Sequence, residues 1–173
     1  MRKYTPSMDK SEFYALIDSA RENSSPTQPS VDPQALRDVL SELDDNVVAE
    51  FGAEFTRELI RLNRWSIWGA GYVIAGGMSD DSFHYFRSWL IGKGSDAVEQ
   101  ALTEPDGLGI YVDDIEVDNE LIEYVAVELL EERGVQDDPR DAVDGSPDDE
   151  PAGDPFDEET VEKDYPNLAS ASA

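Results

Sequence analysis

Apolar positions recur every three to four residues along most of the chain, which is the period of an amphipathic helix. Phe13, Leu16, Ile17 and Ala20 follow Asp9, and Glu12 stands three residues after Asp9, the spacing of a capping box. Ser24 to Pro29 reads as a loop. Asp32-Pro33 is a second start signal, a cap with proline at the first helical position, and Leu36, Val39, Leu40 and Leu43 form the face behind it. A third helix opens at Asp44 or Asp45 and carries Val47, Val48, Phe51, Phe55, Leu59 and Leu62. Gly52 lies inside it at some cost in helix propensity. Arg57, Arg61 and Arg64 are expected on its opposite, wet side.

Trp65 to Ala75 is apolar all round, so the pattern predicts a helix enclosed by others, with Gly69, Ala70 and Gly71 allowing a close neighbour. Gly76-Gly77 ends it. Ser79 caps a fifth helix whose first turn holds Asp80 and Asp81, and whose inner side is Phe83, Phe86, Leu90 and Ile91. Gly92 and Gly94 close it. Ser95 is expected to cap a short sixth helix with Val98, Ala101 and Leu102, and Pro105-Asp106-Gly107 a turn. Gly109 to Val117 contains the β-formers Ile110, Val112, Ile115 and Val117, but no second strand pairs with it, so it reads as a connection. Asp118 opens a last long helix with Leu121, Ile122, Val125, Leu129 and Leu130 inward and Gly134 at its end. The fold class expected is all-α, a compact bundle of about seven helices over residues 8–134.

Charge changes the picture beyond that point. The 173 residues carry a net −27, but residues 1–110 hold ten basic and eighteen acidic side chains and residues 111–173 hold three and twenty-two. Residues 135–155, nearly all Asp, Pro, Gly, Ala, Ser and Glu, have too little apolar surface to offset their chain entropy and read as an acidic flexible linker. Residues 156–173 form a C-terminal tail in which Phe156, Val161, Tyr165 and Leu168 are apolar hooks able to dock on the helical domain.

The acid excess argues against direct binding to a nucleic-acid backbone or to an anionic membrane. The longest uncharged run, Trp65 to Ser79, is fifteen residues with four glycines, short of the about twenty a membrane span needs. Met1-Arg2-Lys3-Tyr4 is followed by Thr5, Pro6 and Ser7 where a signal peptide needs an apolar run, so a cytoplasmic protein is expected. With no cysteine and one histidine, there is no thiol nucleophile and no multi-histidine metal centre.

The densest segment reads Trp65-x-x-Trp68, Tyr72, then Gly76-Gly77-x-Ser79-Asp80-Asp81-x-Phe83-x-Tyr85-Phe86-Arg87-x-Trp89-Leu90-Ile91-x-x-Gly94. On a helix Asp80, His84 and Arg87 make one stripe. Arg87 also borders Phe83 and Leu90, and a partly buried guanidinium needs a carboxylate or carbonyl partners. One reading makes Ser79, Asp80 and Asp81 a cap and Arg87 a pinned core ion pair. The other makes the stripe, with Asp81, Trp68, Tyr72 and Trp89 nearby, the lining of a partner or ligand groove.

This segment resembles a bacterial family known as domain of unknown function 4240, in the Gly-Gly-x-Ser-Asp-Asp-x-Phe turn and the Phe-Arg-x-Trp-Leu-Ile helix. Phe13, Pro105-Asp106, Glu123-Tyr124-Val125-Ala126 and Tyr165-Pro166-x-Leu168 are similar to further family positions, so the resemblance runs from about Met8 to Leu168. It implies a fold and no particular activity.

No catalytic, metal or cofactor motif completes itself. Asp80 and His84 have the spacing of a two-ligand metal face without a third ligand. No Gly-x-Ser-x-Gly occurs, Gly69-x-Gly71 lacks the rest of a dinucleotide fingerprint, and a calcium loop centred on Gly145 would put Arg140 first and Pro151 last. The expected function is a non-enzymatic protein-interaction module with an unknown protein partner. The alternatives are an enzyme with an unrecognised site around Asp80, His84 and Arg87, or an acidic decoy that imitates nucleic acid. The composition also suits a halophilic surface hydrated in concentrated salt.

Overall fold

The computed structural model describes residues 8–25, 30–113 and 116–171. Residues 1–7, the Pro26–Pro29 part of the first loop, and Asp114 and Ile115 of the connection lie outside the described residues. The chain forms α1 (Lys10–Glu22), α2 (Pro33–Ser41), α3 (Asp45–Arg61), α4 (Trp65–Ala75), α5 (Asp80–Lys93), α6 (Ser95–Thr103), α7 (Val125–Glu132) and α8 (Pro166–Ala171). Short 3₁₀ helices lie at Pro105–Tyr111, Glu120–Glu123, Pro139–Ala142 and Val161–Lys163. Among the described residues there is no strand, and the one β-type contact outside helices is an isolated parallel bridge between Arg64 and Ala152. The architecture is the expected all-α bundle. No helix of the described residues is long and apolar enough to cross a membrane.

The start signals act as read. The Asp9 carboxylate accepts from Glu12 N at 2.8 Å while the Glu12 carboxylate accepts from Asp9 N, closing the capping box. Asp32 caps Gln34 N, and Ser79 Oγ accepts from Ser82 N. Gly76 ends α4 with φ +71°, a left-handed angle that favours glycine. The expected Ser95 cap is different: Gly94, at φ +106°, is the N-cap and gives no side-chain bond, so Ser95 becomes the first helical residue.

The helix enclosed on nearly all sides is α3, where the sequence pattern pointed to α4. Phe51 and Phe55 of α3 meet Phe13 of α1 at ring distances of 4.7 and 6.2 Å. Glu54, Thr56 and Glu58 are buried beside them. Glu58 is fully buried and still satisfied: Tyr14 Oη donates to it at 2.5 Å and Arg61 Nε at 2.9 Å. Burial and the Glu58 charge push the Tyr14 phenol well above its usual range, so it stays a donor. Arg61 also reaches Glu99 of α6, so it bridges two elements instead of facing open water. Helix α4 leaves Trp65, Trp68 and Tyr72 half-buried, and what covers them on that side is Phe156 near the chain's end.

Two more expectations change. The Pro105–Tyr111 stretch winds as a 3₁₀ helix, and Leu108 is buried in it. The last long helix is broken: Glu120–Glu123 winds as 3₁₀, and α7 starts only at Val125. Three residues per turn rotate Leu121 off the inner face, leaving it 63 % exposed, while Ile122 is buried.

The acidic segment 136–155 runs over the bundle as a strap. Pro139 is buried on α3, and a Cβ at Gly52 would sit 2.9 Å from its Cγ, which accounts for a glycine in mid-helix. The tail docks through its hooks. Val161, Tyr165 and Leu168 are buried, and Phe156 packs over Trp65, Trp68 and Tyr72 at 5.3–6.2 Å. The Tyr165 ring lies against Gly69, and its hydroxyl donates to Ser66 O at 2.5 Å. Asp106 accepts from Asn167 N and Leu168 N, which ties the tail to the 3₁₀ helix at Pro105–Tyr111.

Candidate functional site

A cleft of about 590 Å³ lies between the α5 stripe and the strap. Its floor comes from Phe83, His84 and Arg87 on α5, with Trp68 of α4 at one side. Glu123 and Tyr124 close a second side, and the strap from Pro147 to Pro151 forms the third. Asp80 and Asp81 stand at the mouth, exposed, in the first turn of α5.

His84 is the hinge of the site. Its Nε2 lies 2.7 Å from Glu123 Oε2, and its Nδ1 lies 3.5 Å from Asp148 Oδ1 on the strap. Both ring nitrogens therefore face carboxylates. The Glu123 side chain is nearly buried while that of Asp148 is 84 % exposed, so the first contact is a fixed one and the second sits in water.

Arg87 is 2 % exposed, and among the described residues no carboxylate lies within ion-pair distance of it. Its Nη1 donates to Leu59 O at 2.9 Å and to Pro147 O at 3.0 Å, one carbonyl from the body and one from the strap. Its guanidinium lies 4.6 Å from the Phe83 ring centre, and Nε has no acceptor. Burial pushes the Arg87 pKa down to about 10, against the opposing pull of Asp148 and Glu123. Phe83 stacks in turn on Trp68 at 4.9 Å, and Trp68 on Trp65 at 5.0 Å. Four flat groups, Trp65, Trp68, Phe83 and the Arg87 guanidinium, thus form one column. Both faces of Trp68 are covered, and its Nε1 donates to Met78 O at 2.9 Å, so only its edge meets the cleft.

The structure brings Asp80, Asp81, His84, Arg87 and Trp68 to one cleft. It places Tyr72 elsewhere, under Phe156 of the tail, and Trp89 in the core at 1 % exposure, stacked on Phe86. The alternative of an Arg87 core ion pair gives way to carbonyl partners. Residues not singled out for the site also line it: Asn63, Tyr85, Glu123, Tyr124, Arg140 and Asp148. Glu123-Tyr124 stood among the quoted family positions, and that was the available signal. The phenols of Tyr85 and Tyr124 are shifted upward by burial and by neighbouring carboxylates, Glu120 for Tyr85 and Glu123 for Tyr124. They remain protonated donors. Arg140 is held by Asp138, whose carboxyl it keeps below the usual range.

Chemically, six carboxylates line the cleft, against Arg87, Arg140 and His84. Among the described residues no group of three or more His, Asp or Glu side chains is placed to hold a metal ion. The lining residues include no Ser, Thr or Lys, and the chain has no Cys, so the side-chain groups beside His84 able to act as nucleophiles are carboxylates and the Tyr85 and Tyr124 phenols.

No curated protein and no solved structure matches the chain. The profile of a family described as protein of unknown function, DUF4240, matches residues 8–132. That span holds α1 to α7 and every cleft residue except those of Arg140 and the strap, while the strap and tail lie outside it. With most of its length inside the match, the chain belongs to the DUF4240 family.

Proposed function

We propose that the chain is a protein-interaction module that seats a segment of another protein on the α4–α5 face, where the strap now lies. The observation that carries this is the way the body already holds an irregular segment there. It does so mainly through main-chain groups, with Asn63, Trp65 and Arg87 as the contacts, and beside that segment the cleft stays open. Aromatic and arginine side chains at such a face are common binding anchors.

The test is position-specific cross-linking in the native cell, with benzoylphenylalanine in place of Tyr85 at the cleft or of Val47 on the α3 surface. A partner cross-linked from position 85, absent from position 47 and reduced by His84→Gln, supports the reading. Equal capture from both positions, or none from position 85, overturns it.

A second reading of the same cleft is general acid–base catalysis. It is favoured by the buried Glu123 held 2.7 Å from His84 Nε2, which would orient the ring for proton transfer at Nδ1. Water would then be the nucleophile. If Glu123→Gln leaves cross-linking from position 85 intact and no small molecule from a cell extract is consumed by the unmodified chain, the acid–base reading falls.

A further inference from the structure

The strap is bound as a peptide would be. Arg87 donates to Pro147 O at 3.0 Å and Asn63 Nδ2 to Asp149 O at 2.7 Å. Ala152 N donates to Asn63 O, and Trp65 N to Ala152 O, each at 3.0 Å, which makes the parallel bridge. Four of the strap's main-chain groups are thus taken up by a body that supplies side chains and one free backbone edge. No residue from Arg140 to Thr160 is buried, so little apolar area secures the segment. A segment held by few buried contacts opens at low free energy relative to the global fold.

Every group that receives the strap, namely Asn63, Trp65, His84 and Arg87, lies within the family match at 8–132, and the strap itself lies outside it. The receiving groove is part of the family body. Its present occupant is not part of the matched span.

The chemistry of the occupant follows from Arg87. Among the described residues the buried cation meets no carboxylate directly, and the strap supplies both an acceptor carbonyl from Pro147 and the nearby charge of Asp148. A neutral or basic segment in that seat would leave a buried guanidinium less compensated. His84 Nδ1 lies 3.5 Å from the Asp148 carboxylate, a second place where the groove meets this acidic side chain. The strap turns at Pro147-Asp148, where Asp149 N donates to Ser146 O and Ser146 N to Asp149 Oδ2, before it reaches the bridge at Ala152.

We infer that the groove beneath residues 147–152 is a docking site for acidic, proline-bracketed segments, and that the strap is its resident occupant, exchangeable for a segment of the same chemistry from another protein. This rests on the proposed function and names the partner's chemistry. The strap competes at the high effective concentration of a tethered segment, of order millimolar for a short flexible link, so an outside segment meets a groove already occupied.

The test uses the full chain and a fluorescein-labelled synthetic peptide of residues 144–155. In a chain carrying Asp148→Lys and Ala152→Pro, the strap loses a charge of the right sign and the N–H that Asn63 O accepts from. The expected result is peptide binding at least tenfold tighter than to the unsubstituted chain. The same peptide with its residues 148–150 changed to Asn, Asn and Gln should bind at least tenfold more weakly, and adding Asn63→Ala to the opened chain should weaken the acidic peptide. Circular dichroism confirms that each variant is folded. If the double variant fails to fold, Pro147→Gly with Asp148→Ser carries the same comparison. No binding to the opened chain, equal binding of the amidated peptide, or tighter binding of a peptide with lysines at 148–150 would each overturn the inference. A partner still cross-linked from position 85 in those cases leaves the proposed function standing and only its acidic chemistry refuted.

Discussion

The strap and the tail are acidic neighbours in sequence, and both end up on the bundle, but they are attached by different means. The tail has three buried side chains, Val161, Tyr165 and Leu168, with Asp106 receiving the first amides of α8. After Pro139 the strap has none, and its hold is a row of main-chain hydrogen bonds. Burying a Leu-sized side chain is worth about 1.5–3 kcal/mol, whereas one net hydrogen bond is worth about 0.5–1.5 kcal/mol. The tail is therefore part of the core, and the strap is a ligand on a tether.

The largest way to break that contrast is Leu168→Ala. It should lower global stability by about 2–4 kcal/mol in urea unfolding, as for other buried leucines. A loss below about 1 kcal/mol would place the tail in the same class as the strap. Gly69→Ala comes next: its Cβ would lie 2.6 Å from Tyr165 Oη, and the overlap should cost about 1–2 kcal/mol even after the gain in helix propensity. The thermal midpoint measures it, and an increase would mean that the tail shifts freely.

Asn63→Ala addresses the strap. It removes the bond to Asp149 O, and a loss of about 1 kcal/mol or less is expected. The sharper readout is hydrogen exchange: the Ala152 amide should exchange faster while the core amides of α3 stay protected. Faster exchange in both would make strap and body one cooperative unit. Tyr165→Phe tests the tail by pH. Burial raises the Tyr165 phenol to about 12, above its unfolded value near 10, so its contribution is complete below pH 10 and lost as pH rises through 12. The variant should lose about 1 kcal/mol at neutral pH and show a smaller further loss of stability between pH 10 and 12 than the parent chain. Equal alkaline losses would assign the effect to other groups. Asp148→Asn should be the weakest change, below about 0.5 kcal/mol in urea unfolding, because its contact with His84 is 3.5 Å long and its side chain is exposed.

Most of the helical body was legible from residue spacing, because capping residues and apolar period are local signals. Asp9 with Glu12, Asp32-Pro33 and Ser79 each start a helix where the pattern puts one. The rank of α3 over α4 was hidden by its glutamates. Glu58 reads as a wet residue until Tyr14, 44 positions earlier, is folded against it. The α5 stripe was readable for the same local reason, and it does line the cleft. Glu123 was visible only as one of the quoted family positions, and nothing local tied it to His84, which it reaches from 39 residues away on another element. The course of the strap had no signal at all in side-chain chemistry. Backbone carbonyls at Pro147 and Asp149 hold it, and every sequence has those.

The column of rings has a further consequence. Trp65 and Trp68 lie parallel, 2° apart, and the strap is bonded at both ends of the column, to Trp65 N at one and to Arg87 at the other. Two indoles in that arrangement share their excitation, so their near-ultraviolet circular dichroism depends on their mutual angle. The third tryptophan, Trp89, is locked in the core and supplies a constant background. The molecule thus carries an intrinsic optical reporter beside its own docking groove, one that registers the departure of the strap without a label.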